Sequence, residues 1–166
     1  MTKFFAECKT LEDLKKLYHK LAVKFHPDLG GDPEVMKAIN NEYDEVFPKL
    51  KNIHFSNTKQ EYYTKETDES ADFFKDIIDK LIKMDGLKIE VVGCFIWLSG
   101  NTMDYKDKIK EMSFKWSANK KMWYLAPKGY RKFSNKNFTY DDICGMYGVQ
   151  YSATGKGDKD TAIAIA

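Results

Sequence analysis

The strongest constraint in this chain is a spacing: two amphipathic helical runs separated by the seven residues HPDLGGD, 26–32. Thr10 followed by Leu-Glu-Asp has the form of a helix N-cap, with Asp13 where a capping box more often carries Glu or Gln. Glu12 and Asp13 also suit the positive end of the helix dipole. From there Leu14, Leu17, Tyr18, Leu21, Ala22 and Phe25 recur at helical spacing, and Lys15, Lys16, Lys20 and Lys24 fall off that stripe. Pro27 disfavours helix at His26 and stops the run. Gly30 and Gly31 permit a tight turn, and Asp32-Pro33 is a cap followed by a first-turn proline. The next helix gathers Met36, Ile39, Tyr43, Val46 and Phe47 on one face. Two such helices on a short loop pack antiparallel, which sets His26-Pro27-Asp28 exposed at the tip.

Four roles are open to that tripeptide: a helix stop, half a metal site, a catalytic pair, or a surface read by another protein. Pro-Asp commonly opens a turn, so the first needs no function. Against a metal stand the chain's three histidines, 19, 26 and 54, which show no clustered ligand spacing. Against catalysis stands the lack of a nucleophile tied to the pair.

The stretch LKKLYHKLAVKFHPDLGGDPEVMKAINNEYDEVF resembles a J-domain of the DnaJ co-chaperone family. The likeness lies in the basic helix, the His26-Pro27-Asp28 loop, and Gly30-Gly31-Asp32 followed by Met36, Asn40 and Tyr43. The compact HPDxGGD form is similar to that of small bacterial and phage J-proteins and of polyomavirus T antigens. It covers about residues 3–50. KFFAECKT is a poor copy of the family's first helix, so that helix is expected to be short or tilted. FPKLKNIHF carries no recognisable fourth helix, and the chain has neither a Gly/Phe-rich segment nor a four-repeat zinc module. The resemblance implies binding to an ATP-loaded DnaK-class heat-shock chaperone and stimulation of its ATP hydrolysis. The implied binding residues are His26, Pro27 and Asp28, with Lys15, Lys16, Lys20 and Lys24 as a basic helix face for an acidic partner groove. The ATP chemistry would belong to the partner, so no catalytic residue and no cofactor is called for.

Beyond residue 55 the composition changes. SNTKQEYYTKETDES, 56–70, is polar and reads as a linker or exposed loop. ADFFKDIIDKLIKMDG brings Phe73, Phe74, Ile77, Ile78, Leu81 and Ile82 to one face, a stripe expected to pack on the module that follows, with Gly86 as the C-terminal cap. LKIEVVGCFIWLSG reads as one long strand with a bulge at Gly93. Thr102 is placed to cap a helix over MDYKDKIKEMS. FKW and KMWYL then form two short strands around SANK, with Trp116 and Trp123 expected in the core of so small a module. PKGYRKFSNKNF reads as a basic loop, and FTYDDICGMYG as a short closing helix.

Charge is unevenly spread: residues 101–140 carry 10 Lys/Arg against 3 acids, although Arg131 is the one arginine of the chain. Lysines for phosphates and aromatics for base stacking make Lys115, Lys120, Lys121, Tyr124, Lys128, Tyr130, Arg131 and Lys132 candidate nucleic-acid contacts. A solvated face or a protein partner is the commoner explanation of such residues. The phrase SFKWSANKKMWYL resembles a small module of phage and mobile-element proteins and, more weakly, the HARP modules of annealing helicases.

The expected fold is thus α+β: a helical J-domain over 1–55, a linker over 56–70, an amphipathic helix with a basic module of strand, helix and β-hairpin over 71–152, and a flexible tail over 153–166. The expected function is a co-chaperone adaptor whose C-terminal half recruits it to a client or nucleic-acid complex. The alternative is a mobile-element nucleic-acid-binding or anti-defence protein with a non-functional J-like scaffold. Cysteines 8, 94 and 144 lack any CxxC spacing, which suits free thiols in a reducing cytoplasm and no metal site. No run nears the ~18 apolar residues of a membrane helix, so no membrane association is expected. The oligomeric state is left open.

Overall fold

A computed structural model describes residues 4–56, 59–66, 69–92, 95–118 and 120–126, and the backbone of 152–154. Helix α1 spans Leu11–Phe25 and α2 spans Pro33–Leu50. The capping box at the start of α1 forms as expected. The Asp13 amide donates to Thr10 Oγ1, and the Thr10 amide donates back to Asp13 Oδ2, both at 3.2 Å. At α2, the Glu34 amide donates to Asp32 Oδ1 at 2.9 Å, and Pro33 takes the first helical position. The two helices form a hairpin, closed by Met36, Ile39, Tyr43, Val46 and Phe47 from α2 and by Leu14, Tyr18 and Ala22 from α1.

Phe4–Lys9 forms bends and turns, not a helix. The buried Glu42 carboxylate holds this segment by accepting from the amides of Phe4 at 2.8 Å and Phe5 at 2.9 Å. The helix that packs across the hairpin comes instead from after it. Helix α3, Ala71–Ile82, sets Phe74 against Tyr18 (ring centroids 5.9 Å apart) and against Tyr43 (6.3 Å). Ile77, Ile78, Leu81 and Ile82 are buried beside it, each apolar side chain stabilising by about 1.5–3 kcal/mol. The expectation that this stripe serves the module that follows is therefore revised: α3 packs mainly on α1 and α2. Gly86 has a left-handed φ of 74° but lies beyond the helix end, in the turn into the sheet.

Strands β1 (Ile53–Ser56) and β2 (Glu61–Thr64) pair antiparallel across the boundary at 55–56, so the stretch expected to be linker supplies a strand that pairs with the end of the expected J-domain. His54 clamps this hairpin to α1: its Nδ1 lies 2.7 Å from Glu12 Oε1, and its ring stacks on Tyr63 at 5.2 Å. The main sheet has the order β5-β6-β4-β3-β7, antiparallel throughout. The single long strand expected over 87–100 is a hairpin instead. β3 (Leu87–Val92) and β4 (Phe95–Gly100) pair with Val92 opposite Phe95. β3 alternates Leu87, Ile89 and Val91 with Lys88 and Glu90, but the sequence from Val91 to Leu98 is continuously without charge, so alternation gave no sign of the reversal.

On one face Leu87, Ile89, Val91, Ile96, Leu98, Trp123 and Leu125 join the core that includes the helices. On the other, Val92, Phe95 and Trp97 form a second cluster with Met122, Tyr124 and Ala126. Between β4 and β5, Met103–Tyr105 is a 3-10 turn and α4 is only Lys106–Glu111. Thr102 makes no side-chain cap there, and Tyr105, Ile109 and Met112 pack inward as their spacing predicts. Strands β5 (Lys115–Ser117) and β6 (Met122–Leu125) lie where expected, and β7 (Ser152–Thr154) pairs with β3. No helix described here is long and apolar enough to cross a membrane.

Candidate functional site

The loop between α1 and α2 is built by its own residues. His26 ends α1 and caps the 3-10 turn Pro27–Leu29; the Asp28 amide donates to His26 Nδ1 at 3.2 Å. Gly30 closes that turn at φ 80°, a left-handed conformation that favours glycine. Gly31 is required by space. A Cβ there would stand 2.1 Å from the Phe25 carbonyl carbon, because the Gly31 amide turns in to donate to the His26 carbonyl at 2.9 Å.

Pro27 and Asp28 are exposed at the tip, but His26 is only 7% exposed. The cover is α3: His26 Nε2 lies 2.5 Å from Asp79 Oδ1. Because Nδ1 already accepts from the Asp28 amide, Nε2 carries the proton and donates to the carboxylate. Lys83, the C-terminal cap of α3 one turn beyond Asp79, pairs with Asp79 Oδ2 at 3.0 Å and reaches Asp28 Oδ2 at 3.8 Å. Burial alone would raise the Asp79 pKa. The hydrogen bonds from His26 and Lys83, with the charge of Lys83, outweigh it and hold the carboxyl below its usual value. Lys83 is held above its usual value by the hydrogen bond and charge of Asp79, and by Asp28. Neither Asp79 nor Lys83 is singled out by sequence, since each reads as an ordinary charge on the polar face of an amphipathic helix.

The four lysines of α1 divide. Lys20 and Lys24 are exposed and Lys16 is half-buried, on the side that leads to the loop. Lys15 does not join them. It is 1% exposed, ion-paired with the buried Glu69 and set over the Phe74 ring at 5.2 Å. Phe74 of α3 packs on Lys15 and Tyr18 and Glu69 takes the Lys15 charge, so a residue expected on the binding surface is structural. His19 is fully buried, and desolvation pushes its pKa down to about 3. Cys8 is half-buried; burial first, then Asp13, Glu42 and Glu7, push its thiol up to about 12, which removes it as a nucleophile.

The candidates of the basic module are spread. Lys115 and Lys121 are exposed on the β5–β6 hairpin, Lys120 lies over the Trp97 ring at 5.7 Å, and Tyr124 packs on Trp97 at 5.2 Å. Lys128, Tyr130, Arg131 and Lys132 lie outside the described residues, as do the expected basic loop and closing helix. Trp123 is core, but Trp116 is 49% exposed. It pairs with Trp123 across the strands, so both face the same way. Yet among the described strands β5 lies at the edge of the sheet, and the described ring contact of Trp116 is edge-on to Trp123 at 5.5 Å. Among the described residues no three His, Cys, Asp or Glu side chains are grouped to hold a metal.

Comparison with known proteins bears on the helical hairpin alone. "DnaJ protein homolog 2" of Allium porrum is 60% identical over 35 residues, 21% of this chain and 8% of that protein. "Chaperone protein dnaJ 2" of Arabidopsis thaliana is 58% identical over 33 residues, 20% of this chain and 8% of that protein. The small t antigen of budgerigar fledgling disease virus is 47% identical over 36 residues, 22% of this chain and 25% of that protein. The N-terminal segment matches DnaJ J-domains. The chain covers under a tenth of the plant relatives' length. No family model and no solved structure matches.

Proposed function

We propose that the protein is a J-domain co-chaperone that binds a DnaK-class chaperone and stimulates its ATP hydrolysis. The observation that carries this reading is the loop: Gly31 cannot bear a side chain, and the His-Pro-Asp backbone is tied at both ends. A scaffold hairpin needs neither. Preorganisation of this kind lowers the entropic cost of recognition. Exposed Pro27 and Asp28 follow exposed Lys20 and Lys24 of α1, which suits a partner surface of mixed charge with an acidic groove. The test is single-turnover ATP hydrolysis by a DnaK-class chaperone with wild-type protein and with His26→Gln. Stimulation by the wild type, lost in the variant at unchanged helical content, is the expected result.

For the C-terminal sheet we propose recruitment of the co-chaperone to a client or nucleic-acid complex. Half-exposed Trp116 with exposed Lys115 and Lys121 favours a single-stranded nucleic acid, since aromatic stacking with flanking cations is the usual means of holding one. Quenching of tryptophan fluorescence by a single-stranded oligonucleotide, lost in Trp116→Ala, is expected. Binding unaffected by that substitution would point to a protein client.

A further inference from the structure

Asp28 is the outward carboxylate of the loop, its side chain 47% exposed. A chaperone that reads it must offer a basic group. One is already present within the chain: Lys83 Nζ lies 3.8 Å from Asp28 Oδ2 and is anchored by Asp79 at 3.0 Å, an i,i+4 pair on α3. Asp79 in turn takes the His26 ring on its other oxygen. His26, Asp79, Lys83 and Asp28 thus form one chain of alternating partners around the loop. Helix α3 itself does not leave readily, because Phe74, Ile77, Ile78, Leu81 and Ile82 are all buried. The Lys83 side chain, by contrast, is 52% exposed.

Building on the chaperone-binding reading, we propose that Lys83 is an internal competitor for the partner's basic group at Asp28, with Asp79 the residue that positions both Lys83 and His26. The chaperone's cation replaces Lys83 on Asp28, and Lys83 falls back wholly onto Asp79. The His26 ring stays in place through the exchange. The device sets the affinity of the loop and leaves its maximal effect unchanged.

The experiment measures half-saturating concentration and maximal stimulation of a DnaK-class chaperone's ATP hydrolysis for the full chain. Three variants are compared: Lys83→Gln, Lys83→Arg, and Lys80→Gln, which removes the same charge from an exposed position of the same helix. Lys83→Gln is expected to lower the half-saturating concentration roughly two- to fivefold, the range of a single exposed ion pair, with the maximum unchanged. Lys83→Arg should behave as wild type, and Lys80→Gln should show no gain. Weaker or unchanged binding by Lys83→Gln, or an equal gain from Lys80→Gln, overturns the competitor role. No stimulation by the wild type with any chaperone is a different failure, that of the co-chaperone reading, and takes the proposal with it.

Discussion

The helical hairpin and the β5–β6 edge are both rich in charge, but they use it in opposite directions. On the hairpin, charges are spent internally: Lys15 on Glu69, Glu12 on His54, Glu42 on the amides of Phe4 and Phe5, His26 on Asp79. At the sheet edge Lys115 and Lys121 stand in solvent beside a half-exposed tryptophan. Internal charge fixes a loop and makes its geometry specific; external charge stays available to partners whose shape is not fixed beforehand. On the functions proposed above, one surface would meet a single defined receptor and the other a tolerant one.

Substitutions can break this contrast, beginning with the largest effect. Lys15→Ala leaves Glu69 charged and buried without its partner, and is expected to destabilise the fold by about 3–5 kcal/mol in urea unfolding. The double change Lys15→Met with Glu69→Leu should recover most of that loss. Next comes Gly31→Ala, whose Cβ must displace the Phe25 carbonyl. A cost on the order of 2–4 kcal/mol is expected, with loss of chaperone stimulation even in the molecules that remain folded.

A smaller, pH-linked effect comes from His19. Its native pKa of about 3 lies below the ordinary value of 6.5, so the unfolded chain binds a proton that the folded chain refuses. Stability from this group is whole above pH 6.5 and falls as the pH drops toward 3, by about 1.4 kcal/mol per unit at most. The difference in stability between wild type and His19→Leu should therefore slope between pH 6 and 4 and flatten above 7. Asp79 has the same sign in a lower window, its contribution being present above the ordinary carboxyl value and lost as pH falls through its depressed one. Smallest of all, Lys121→Ala should change stability by no more than about 0.5 kcal/mol. A cost like that of Lys15→Ala would end the contrast between the two regions.

The same division explains what could be read in the sequence. Caps and helical stripes are local, so Thr10, Asp13, Asp32 and the buried face of α2 fell where spacing put them. The glycine pair and the tripeptide were visible because turn chemistry is local too. The burial of Lys15 was not, since it depends on a helix that begins 56 residues later, and nothing in LKKLYHK distinguishes Lys15 from Lys16 and Lys20. His26 was expected in the open for the same reason, its partner Asp79 being 53 residues away. The β3–β4 reversal was hidden by continuous apolar residues, and the exposure of Trp116 by the position of β5 at a sheet edge, which sequence does not announce.

Helix α3 also governs how this protein can be taken apart. A fragment ending at residue 55, the natural place to cut a J-domain from its sequence, would strip Phe74 from Tyr18 and Tyr43, Glu69 from Lys15 and Asp79 from His26. The smallest portable unit is therefore longer than the motif it carries. A graft of residues 1–55 onto another chain is expected to melt at lower temperature than one of residues 1–85, and to present its loop with His26 untethered.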